Sequence, residues 1–144
     1  MLRRPGRLAS LACLALAACA SPAPPPVLAS APGIDWTTVR PVTVRLTDFA
    51  FTPDHLSFAA GVPVRLTLVN AGSGTHDFAA PRFFATVAYR PGTAAAADGD
   101  IALKAGQTAE LDFVPGPAGS YPLECTEFLH ATFGMTGMID VTSR

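Results

Sequence analysis

Apolar and polar residues alternate with a period of two from about residue 40 onward, and this alternation limits the fold more than any other feature. The apolar side chains of 62–68 fall at every second position, with Arg65 and Thr67 between them. Successive side chains of a strand point to opposite faces, so this period indicates half-buried strands. A chain of 144 residues with fourteen Pro and twelve Gly has room for one domain rich in turns. We predict an all-β sandwich of seven to eight short strands.

Two stretches depart from this alternation. Phe49 and Phe51 fall out of phase with the apolar positions of 42–46, which predicts a bulge or bend near Asp48. Residues 83–100 break the rhythm altogether, and we expect a helical or loop insertion there. Within it, 83–89 are predicted to form a short helix, and the alanines that follow are predicted to form an exposed loop.

The N-terminus has the pattern of an export signal. Three arginines precede an apolar run over 8–18, which is too short to be a permanent membrane anchor. Residues 16–19 (Leu-Ala-Ala-Cys) resemble the bacterial lipobox, in which the chain is cut before the cysteine and Cys19 becomes lipidated. The alternative is an ordinary signal with an alanine-rich cleavage site and a bystander cysteine. We therefore predict a signal peptide over 1–18, a Pro/Ala-rich tether over 19–39 and a folded domain over 40–144.

These N-terminal features predict where the protein works. A lipid anchor on Cys19 would tether the domain to a membrane and face it to the periplasm. Ala20 stands where an aspartate would resemble an inner-membrane retention signal, so the outer membrane is favoured in a Gram-negative host. Without the three signal arginines, seven basic residues face eleven acidic ones, a net charge of about −4. The absence of a basic patch argues against a nucleic-acid partner.

Cys125 is predicted to be the only cysteine of the mature domain, since Cys13 lies in the signal and Cys19 at its end. A lone thiol in an oxidising compartment cannot close an intramolecular disulfide. It is accompanied by His130 and Met135, which gives thiolate, imidazole and thioether within eleven positions. These soft and borderline ligands select copper. The alternative is a buried free cysteine that only fills the core.

The alternation of side chains along each strand indicates which of the possible ligands point inward. Cys125 shares its face with Tyr121 and Leu123 and is predicted to point inward. Met135 lies in the loop before the last strand and is the better thioether candidate, because Met138 is in phase with the outward side. The best fourth ligand is His76, which opens a strand directly after the glycine-containing loop 70–75.

Other residues near these positions could suggest different chemistry. Glu124 and Glu127 flank the cysteine and could be hard ligands or a carboxylate pair, but we interpret them as solvated charges. His55 follows a turn and is predicted to lie on the surface. Zinc also accepts two histidines and a cysteine, but a methionine ligand does not suit it. No Ser-His-Asp order, phosphate loop or paired-histidine helix motif occurs, so we predict that the protein is not an enzyme.

The set His76, Cys125, His130 and Met135, with the first at the start of a strand and the others joining the last two strands, resembles the cupredoxins. These small blue-copper proteins include plastocyanin and azurin. The resemblance covers about 41–141, apart from 83–100. It implies a Greek-key β-sandwich and a type 1 site for one copper ion that cycles between Cu(I) and Cu(II). In that site the two histidines and the cysteine form a plane, and the methionine is a weak axial ligand.

The resemblance also implies roles for neighbouring residues. Asp77 stands where plastocyanins carry an asparagine that hydrogen-bonds the hydroxyl residue after the cysteine, here Thr126. Aspartate is a departure from that pattern and puts the hydrogen bond in doubt. The edge of His130 is expected to reach the surface, where a redox partner would dock on an apolar patch made by Phe128, Leu129, Ala131 and Phe133.

Two functions follow from this pattern. The first is one-electron transfer by a monomeric, membrane-tethered carrier in the cell envelope. The alternative is copper delivery, sequestration or tolerance, with the metal as cargo. Cargo proteins often carry methionine- or histidine-rich arms, and the tether over 19–39 has neither, which favours electron transfer.

Overall fold

The computed structural model describes residues 33–92, 96 and 98–144. The predicted signal peptide with Cys13 and Cys19, and the tether up to residue 32, lie outside the described residues. The described part contains ten strands and one short helix. In chain order they are β1 (Arg40–Thr47), β2 (Ala50–Thr52), β3 (His55–Ala59), β4 (Val64–Asn70), β5 (His76–Asp77), α1 (Pro81–Phe84), β6 (Ala88–Tyr89), β7 (Ala102–Leu103), β8 (Thr108–Val114), β9 (Gly119–Glu124) and β10 (Thr136–Thr142).

The strands form three mixed or antiparallel sheets. A five-stranded sheet has the order β2-β1-β4-β8-β6, a three-stranded sheet the order β3-β10-β9, and β5 pairs with β7. Strand β1 runs parallel to β4, and β3 runs parallel to β10, while the other pairs are antiparallel. A bridge between Ala79 and Glu124 connects the segment after β5 to the edge of β9. This connection brings β5 beside the loop that follows β9.

The core lies between the larger sheets and confirms the predicted alternation. Strand β4 buries Val64, Leu66 and Leu68, while the residues between them remain half-exposed. Phe58 of β3 meets Phe113 of β8 at a ring-centroid distance of 5.8 Å, so side chains of the two sheets interdigitate. Burying each such side chain contributes about 1.5–3 kcal/mol. The all-β sandwich predicted from the sequence is therefore the observed architecture.

The bend predicted near Asp48 is a tight hairpin turn between β1 and β2. Thr47 pairs with Ala50, so Asp48 and Phe49 form the two-residue connection. Phe49 has a φ of 64°, a left-handed conformation that is uncommon for a residue with a bulky side chain. The turn holds both side chains at the end of the sandwich where the loop after β9 also lies, as the contacts below show.

The insertion differs in part from the sequence prediction. Helix α1 spans only Pro81–Phe84 rather than 83–89, and Ala88–Tyr89 forms a strand that pairs with β8. The helix begins at proline, whose fixed φ favours the first helical position. Ala96 is buried, so the prediction of an exposed loop is wrong at that residue, and 93–95 and 97 lie outside the described residues. No helix in the described part of the chain combines the length and apolar character needed to cross a membrane.

Candidate metal centre

Residues 125–135 connect β9 to β10 and form what we call the ligand loop. The N–H of Cys125 donates to the carbonyl of Met135 at 3.0 Å, and the N–H of Met135 donates to the carbonyl of His130 at 3.0 Å. Leu129 and Gly134 take positive φ values of 64° and 103°, which lets the loop turn back on itself. The three residues that the sequence singled out in this loop are thus joined by its backbone hydrogen bonds.

His76 reaches the ligand loop from another part of the chain. It lies in β5 opposite Leu103 and follows the loop 71–75. Buried Asn70 organises that loop, because its Nδ2 donates to the carbonyls of Gly74 at 2.9 Å and Leu103 at 2.8 Å. Its Oδ1 accepts the N–H of Gly72 at 2.9 Å. The amide of Asn70 therefore fixes the chain just before His76.

The donor atoms of three predicted ligands converge. His76 Nδ1 lies 3.2 Å from His130 Nδ1, and Cys125 Sγ lies 3.3 Å from the same nitrogen. The three donor atoms all lie within 4.8 Å of one another. His76 and Cys125 are 1% and 0% exposed, and His130 is half-buried. The sandwich thus turns one sulfur and two imidazole nitrogens toward a common point at its edge.

The two candidate methionines occupy different environments. Met135 is fully buried in the hydrophobic core that includes Cys125. Met138 lies in β10, next to inward-facing Ile139, and is half-buried. The Met135 side chain therefore lies in the same core as the thiol. The Met138 side chain does not belong to that core, because it points to the opposite face of β10 from Ile139.

Asp77 and Thr126 lie in contact. The backbone N–H of Thr126 donates to Asp77 Oδ1 at 2.6 Å, and its hydroxyl donates to Asp77 Oδ2. The backbone N–H of Asp77 in turn points at Cys125 Sγ, 3.5 Å away. The replacement of asparagine by aspartate has therefore not removed the connection, and the carboxylate accepts both hydrogen bonds.

Burial controls the chemistry of the thiol in the metal-free protein. It raises the pKa of Cys125 to about 11, opposed by hydrogen bonds from the backbone N–H groups of Asp77 and Glu127. The nearby Asp77 carboxylate raises this pKa further. The thiol is therefore protonated at neutral pH, and a metal ion that binds it must displace the proton.

One further polar contact to the centre was missed from the sequence. His76 Nε2 lies 3.1 Å from Asp48 Oδ1, on the turn between β1 and β2. Asp48 also accepts the N–H of Ser73 at 3.1 Å and its hydroxyl at 3.0 Å. These hydrogen bonds lower the pKa of Asp48, the backbone bond most, so the group is a carboxylate at neutral pH. The bend predicted at Asp48 was the only sequence signal that marked this position.

Exposed apolar side chains surround the open side of the centre. Phe49 packs edge-on against the His130 ring at 5.2 Å and against Phe133 at 5.4 Å. Phe128 is 85% exposed, and Phe133 and Leu129 are also exposed. Phe49 joins the group predicted from the sequence, whereas Ala131, which was also predicted to belong to it, is half-buried. We call this surface the apolar rim, formed by Phe49, Phe128, Leu129 and Phe133.

The side chains of the remaining polar residues are not among the donors of the cluster. His55 is exposed and faces Asp140, with 3.8 Å between His55 Nδ1 and Asp140 Oδ2. Glu124 is exposed, as its strand phase predicted, and Glu127 is half-buried. Neither carboxylate is part of the donor cluster of His76, Cys125 and His130 found among the described residues.

The donor set was tested against the metals that it could hold. Bonds of about 2.0–2.3 Å to imidazole nitrogen and thiolate, as measured for zinc, suit donor atoms at these separations. Zinc sites are built from thiolate, imidazole and carboxylate donors, whereas a thioether joined to a thiolate and two imidazoles is typical of copper. A cluster of two imidazoles and one thiolate with a buried methionine therefore fits one copper ion.

Comparison with known proteins identifies the fold. Auracyanin B aligns with a TM-score of 0.54 and 23% identity, over 76% of this chain and 93% of that chain. Auracyanin from the photosynthetic bacterium Roseiflexus castenholzii, reduced with dithionite, aligns with a TM-score of 0.54 and 16% identity, over 71% and 96%. No family model matches the sequence. No curated protein matches it either.

The fold is that of the cupredoxins, which confirms the resemblance seen in the sequence. Its histidine, cysteine and histidine donors, with buried Met135 beside them, fit a type 1 copper site.

Proposed function

We propose that His76, Cys125, His130 and Met135 bind one copper ion and that the protein is a one-electron carrier rather than an enzyme. The observation that carries this proposal is the convergence of one thiol and two imidazoles within 4.8 Å. Convergence requires β5 and the ligand loop, which are 48 residues or more apart in sequence, to meet at one edge of the sandwich. An auracyanin of the same fold, which was obtained in a dithionite-reduced form, gives this proposal independent support.

Bound copper would supply a Cu(II)/Cu(I) couple that accepts or gives one electron. The chain supplies the surroundings. Buried His76 and Cys125 exclude water, and the backbone hydrogen bonds between Cys125, His130 and Met135 hold the ligand loop in one shape. A scaffold that holds its donor atoms in place before the metal binds needs little rearrangement when the charge changes.

His130 provides the path for the electron. It is half-buried, whereas His76 and Cys125 are fully buried, so His130 is the donor nearest to solvent. The apolar rim surrounds it, with Phe49 in edge contact with its ring. An exposed apolar group of this kind marks a site for protein contact. A redox partner that docks there would bring its own centre close to the His130 edge.

The proposed location in the cell is supported by the N-terminal sequence. We propose that the signal peptide over 1–18 is removed and that Cys19 is lipidated. The domain would then face the periplasm from a membrane, with the outer membrane favoured.

The experiment that tests the proposed function is a titration of the purified protein with copper sulfate, followed by absorption in the visible region. An electron carrier with thiolate–copper coordination would give an intense blue or green band at one equivalent, bleached by reductant and restored by oxidant. A colourless complex formed only with Cu(I) would contradict electron transfer and favour copper as cargo.

Lipidation is tested by incorporation of labelled fatty acid into the protein in a Gram-negative host. The native chain is expected to carry label in the membrane fraction, and Cys19→Ser is expected to carry none. Label that persists in Cys19→Ser, or a native chain without label, would contradict the lipid anchor.

A further inference from the structure

The side chain of Asp48 is the only carboxylate among the described residues that hydrogen-bonds an imidazole of the candidate metal centre. His76 has two ring nitrogens with different neighbours. Nδ1 faces His130 Nδ1 at 3.2 Å, inside the donor cluster, while Nε2 faces Asp48 Oδ1 at 3.1 Å, outside it. An ionised carboxylate can only accept, so the proton of the neutral ring lies on Nε2. The lone pair of Nδ1 is thereby directed into the donor cluster.

The surroundings hold Asp48 in this position. Ser73 donates its N–H to Oδ1 and its hydroxyl to Oδ2, which leaves the carboxylate one orientation. The backbone of Gly72 lies against the hydrogen bond between His76 and Asp48. A Cβ at this position would lie 2.5 Å from His76 Nε2 and 2.7 Å from Asp48 Oδ1. Any larger residue at position 72 would therefore displace the hydrogen bond. Three separate segments, the turn at 48–49, the loop at 72–73 and β5, converge on one imidazole nitrogen.

We propose that Asp48 is a positioning residue of the metal centre, which fixes the tautomer of His76 and lowers the reduction potential of copper bound there. This inference rests on the proposed function. A carboxylate that accepts the second N–H of a ligand histidine makes the imidazole more basic, and loss of such a partner typically costs 10–100-fold in metal affinity. The negative charge favours Cu(II) over Cu(I), because the more highly charged ion gains more from it. Asp48 is 51% exposed, so solvent screens part of this effect.

The geometry provides a clean test by substitution. In Asp48→Asn, one amide oxygen can accept the N–H groups of His76 and Ser73, which both point at Oδ1 in the native chain. The amide nitrogen can donate to the Ser73 hydroxyl in place of Oδ2. This variant therefore removes the charge and keeps the hydrogen bonds. Asp48→Ala removes both. Asp54→Asn, at an exposed loop position before β3, removes an equal charge outside this hydrogen-bond network and serves as the control.

Two measurements follow, one without and one with copper. Nitrogen NMR of the metal-free protein is expected to show the Nε2–H tautomer of His76 in the native chain and in Asp48→Asn, and a mixture of tautomers in Asp48→Ala. After loading with copper sulfate, Asp48→Asn is expected to lose about tenfold in its preference for Cu(II) over Cu(I), which raises the potential by about 59 mV. Asp54→Asn is expected to change that preference by less than threefold.

The results separate this inference from the proposed function. An unchanged His76 tautomer in Asp48→Ala would overturn the positioning role, and an unchanged potential in Asp48→Asn would overturn the electrostatic role. If Asp48→Ala does not fold, the potential of Asp48→Asn still decides the electrostatic role. A native chain that gives no coloured copper complex would defeat the proposed function, whereas the metal-free NMR measurement would still decide whether Asp48 positions His76.

Discussion

The carboxylate of Asp77 accepts hydrogen bonds from both the backbone N–H and the hydroxyl of Thr126, and so joins β5 to the ligand loop. The two residues follow directly after His76 and Cys125. Together with the backbone bridge between Ala79 and Glu124, this side chain therefore connects the two parts of the chain whose donor atoms converge.

Replacing Asp77 by Ala is expected to destabilise the folded protein and to weaken copper binding at the centre. The N–H of Thr126 would lose its acceptor in a partly buried place, at a cost of about 1–3 kcal/mol in the free energy of unfolding. Chemical denaturation of the metal-free protein measures this loss, and copper should dissociate faster from the variant. Asp77→Asn, which keeps an acceptor oxygen, is expected to lose less. Equal stability of Asp77→Ala and the native chain would refute the role of this connection.

Replacing Met135 by Leu is expected to leave copper bound and to raise its reduction potential. The thioether is fully buried in the same core as Cys125, and leucine fills a similar volume, so the domain should remain folded at a cost below about 1.5 kcal/mol. A weak axial sulfur tunes the potential of such sites. Voltammetry of the copper-loaded protein checks the shift, with Met138→Leu as the matched control. A shift in Met138→Leu and none in Met135→Leu would show that the wrong methionine was assigned.

The thiol of metal-free Cys125 is expected to be unreactive until the protein unfolds. It is fully buried, and burial raises its pKa from 9.0 to about 11, so little thiolate is present at pH 8. Because the native pKa is the higher one, stability from this group is complete below about pH 9 and falls as pH rises toward 11. Alkylation with iodoacetamide, and unfolding curves over this range, measure both effects. The control Cys125→Ser should lose stability less steeply with pH, and rapid labelling of the folded native chain would contradict the prediction.

Asp112 gives a prediction that is independent of the metal. It is 3% exposed and accepts two hydrogen bonds from Arg65 at 2.8 Å and one from Arg90 at 3.0 Å. Arg65 is the main reason that the pKa of Asp112 is lowered. The carboxylate therefore stabilises the native state above about pH 4, and this contribution is lost as pH falls through the lowered native pKa.

Asp112→Asn is expected to cost about 1–3 kcal/mol at pH 7 and to make unfolding less sensitive to acid. The arginines are about a third exposed, which limits the loss. Denaturant unfolding between pH 7 and pH 3 measures both effects, and Glu110→Gln, at an exposed position beside Arg65, is the control. If the free energy of unfolding of Asp112→Asn fell with acid as steeply as that of the native chain, Asp112 would not be the group that destabilises the protein at low pH. The absorption spectrum of the copper-loaded protein should be the same in the native chain, Asp112→Asn and Glu110→Gln.

A substitution in the apolar rim is expected to slow electron transfer to a partner protein and to leave the copper site unchanged. Phe128 is the most exposed of the large apolar side chains, so Phe128→Ser should fold normally and keep the same absorption spectrum. Electron transfer with a membrane fraction that contains the native partner should slow about tenfold, because docking loses an apolar contact worth about 1.4 kcal/mol. Reduction by a small molecule such as ascorbate should be unchanged. A partner rate equal to that of the native chain would argue against docking at this surface.

The parts of the fold that follow a repeating pattern were predictable from the sequence. The inward phase of Cys125 followed from its spacing to Leu123, and both are buried. Helix α1 ends at Phe84, before the predicted end, because the next residues complete the five-stranded sheet through Ala88 and Val114. A pairing between strands so far apart in sequence leaves no local signal.

The contacts of two other acidic residues, Asp112 and Asp48, were not predictable for the same reason. By alternation Asp112 should point to solvent, and it does lie on the outer face, but Arg65 of the neighbouring strand covers it. Asp48 marks a bend in the sequence, and only the loop at 72–73 and the start of β5 bring His76 to it. Both contacts depend on sheet register, which the one-dimensional pattern does not contain.

The most direct test of the metal centre is copper X-ray absorption of the protein loaded with one equivalent of copper. We predict one sulfur and two nitrogen neighbours at bonding distance, with the sulfur lost in Cys125→Ser and one nitrogen lost in His76→Ala. A spectrum with only oxygen and nitrogen neighbours, unchanged by Cys125→Ser, would contradict the account.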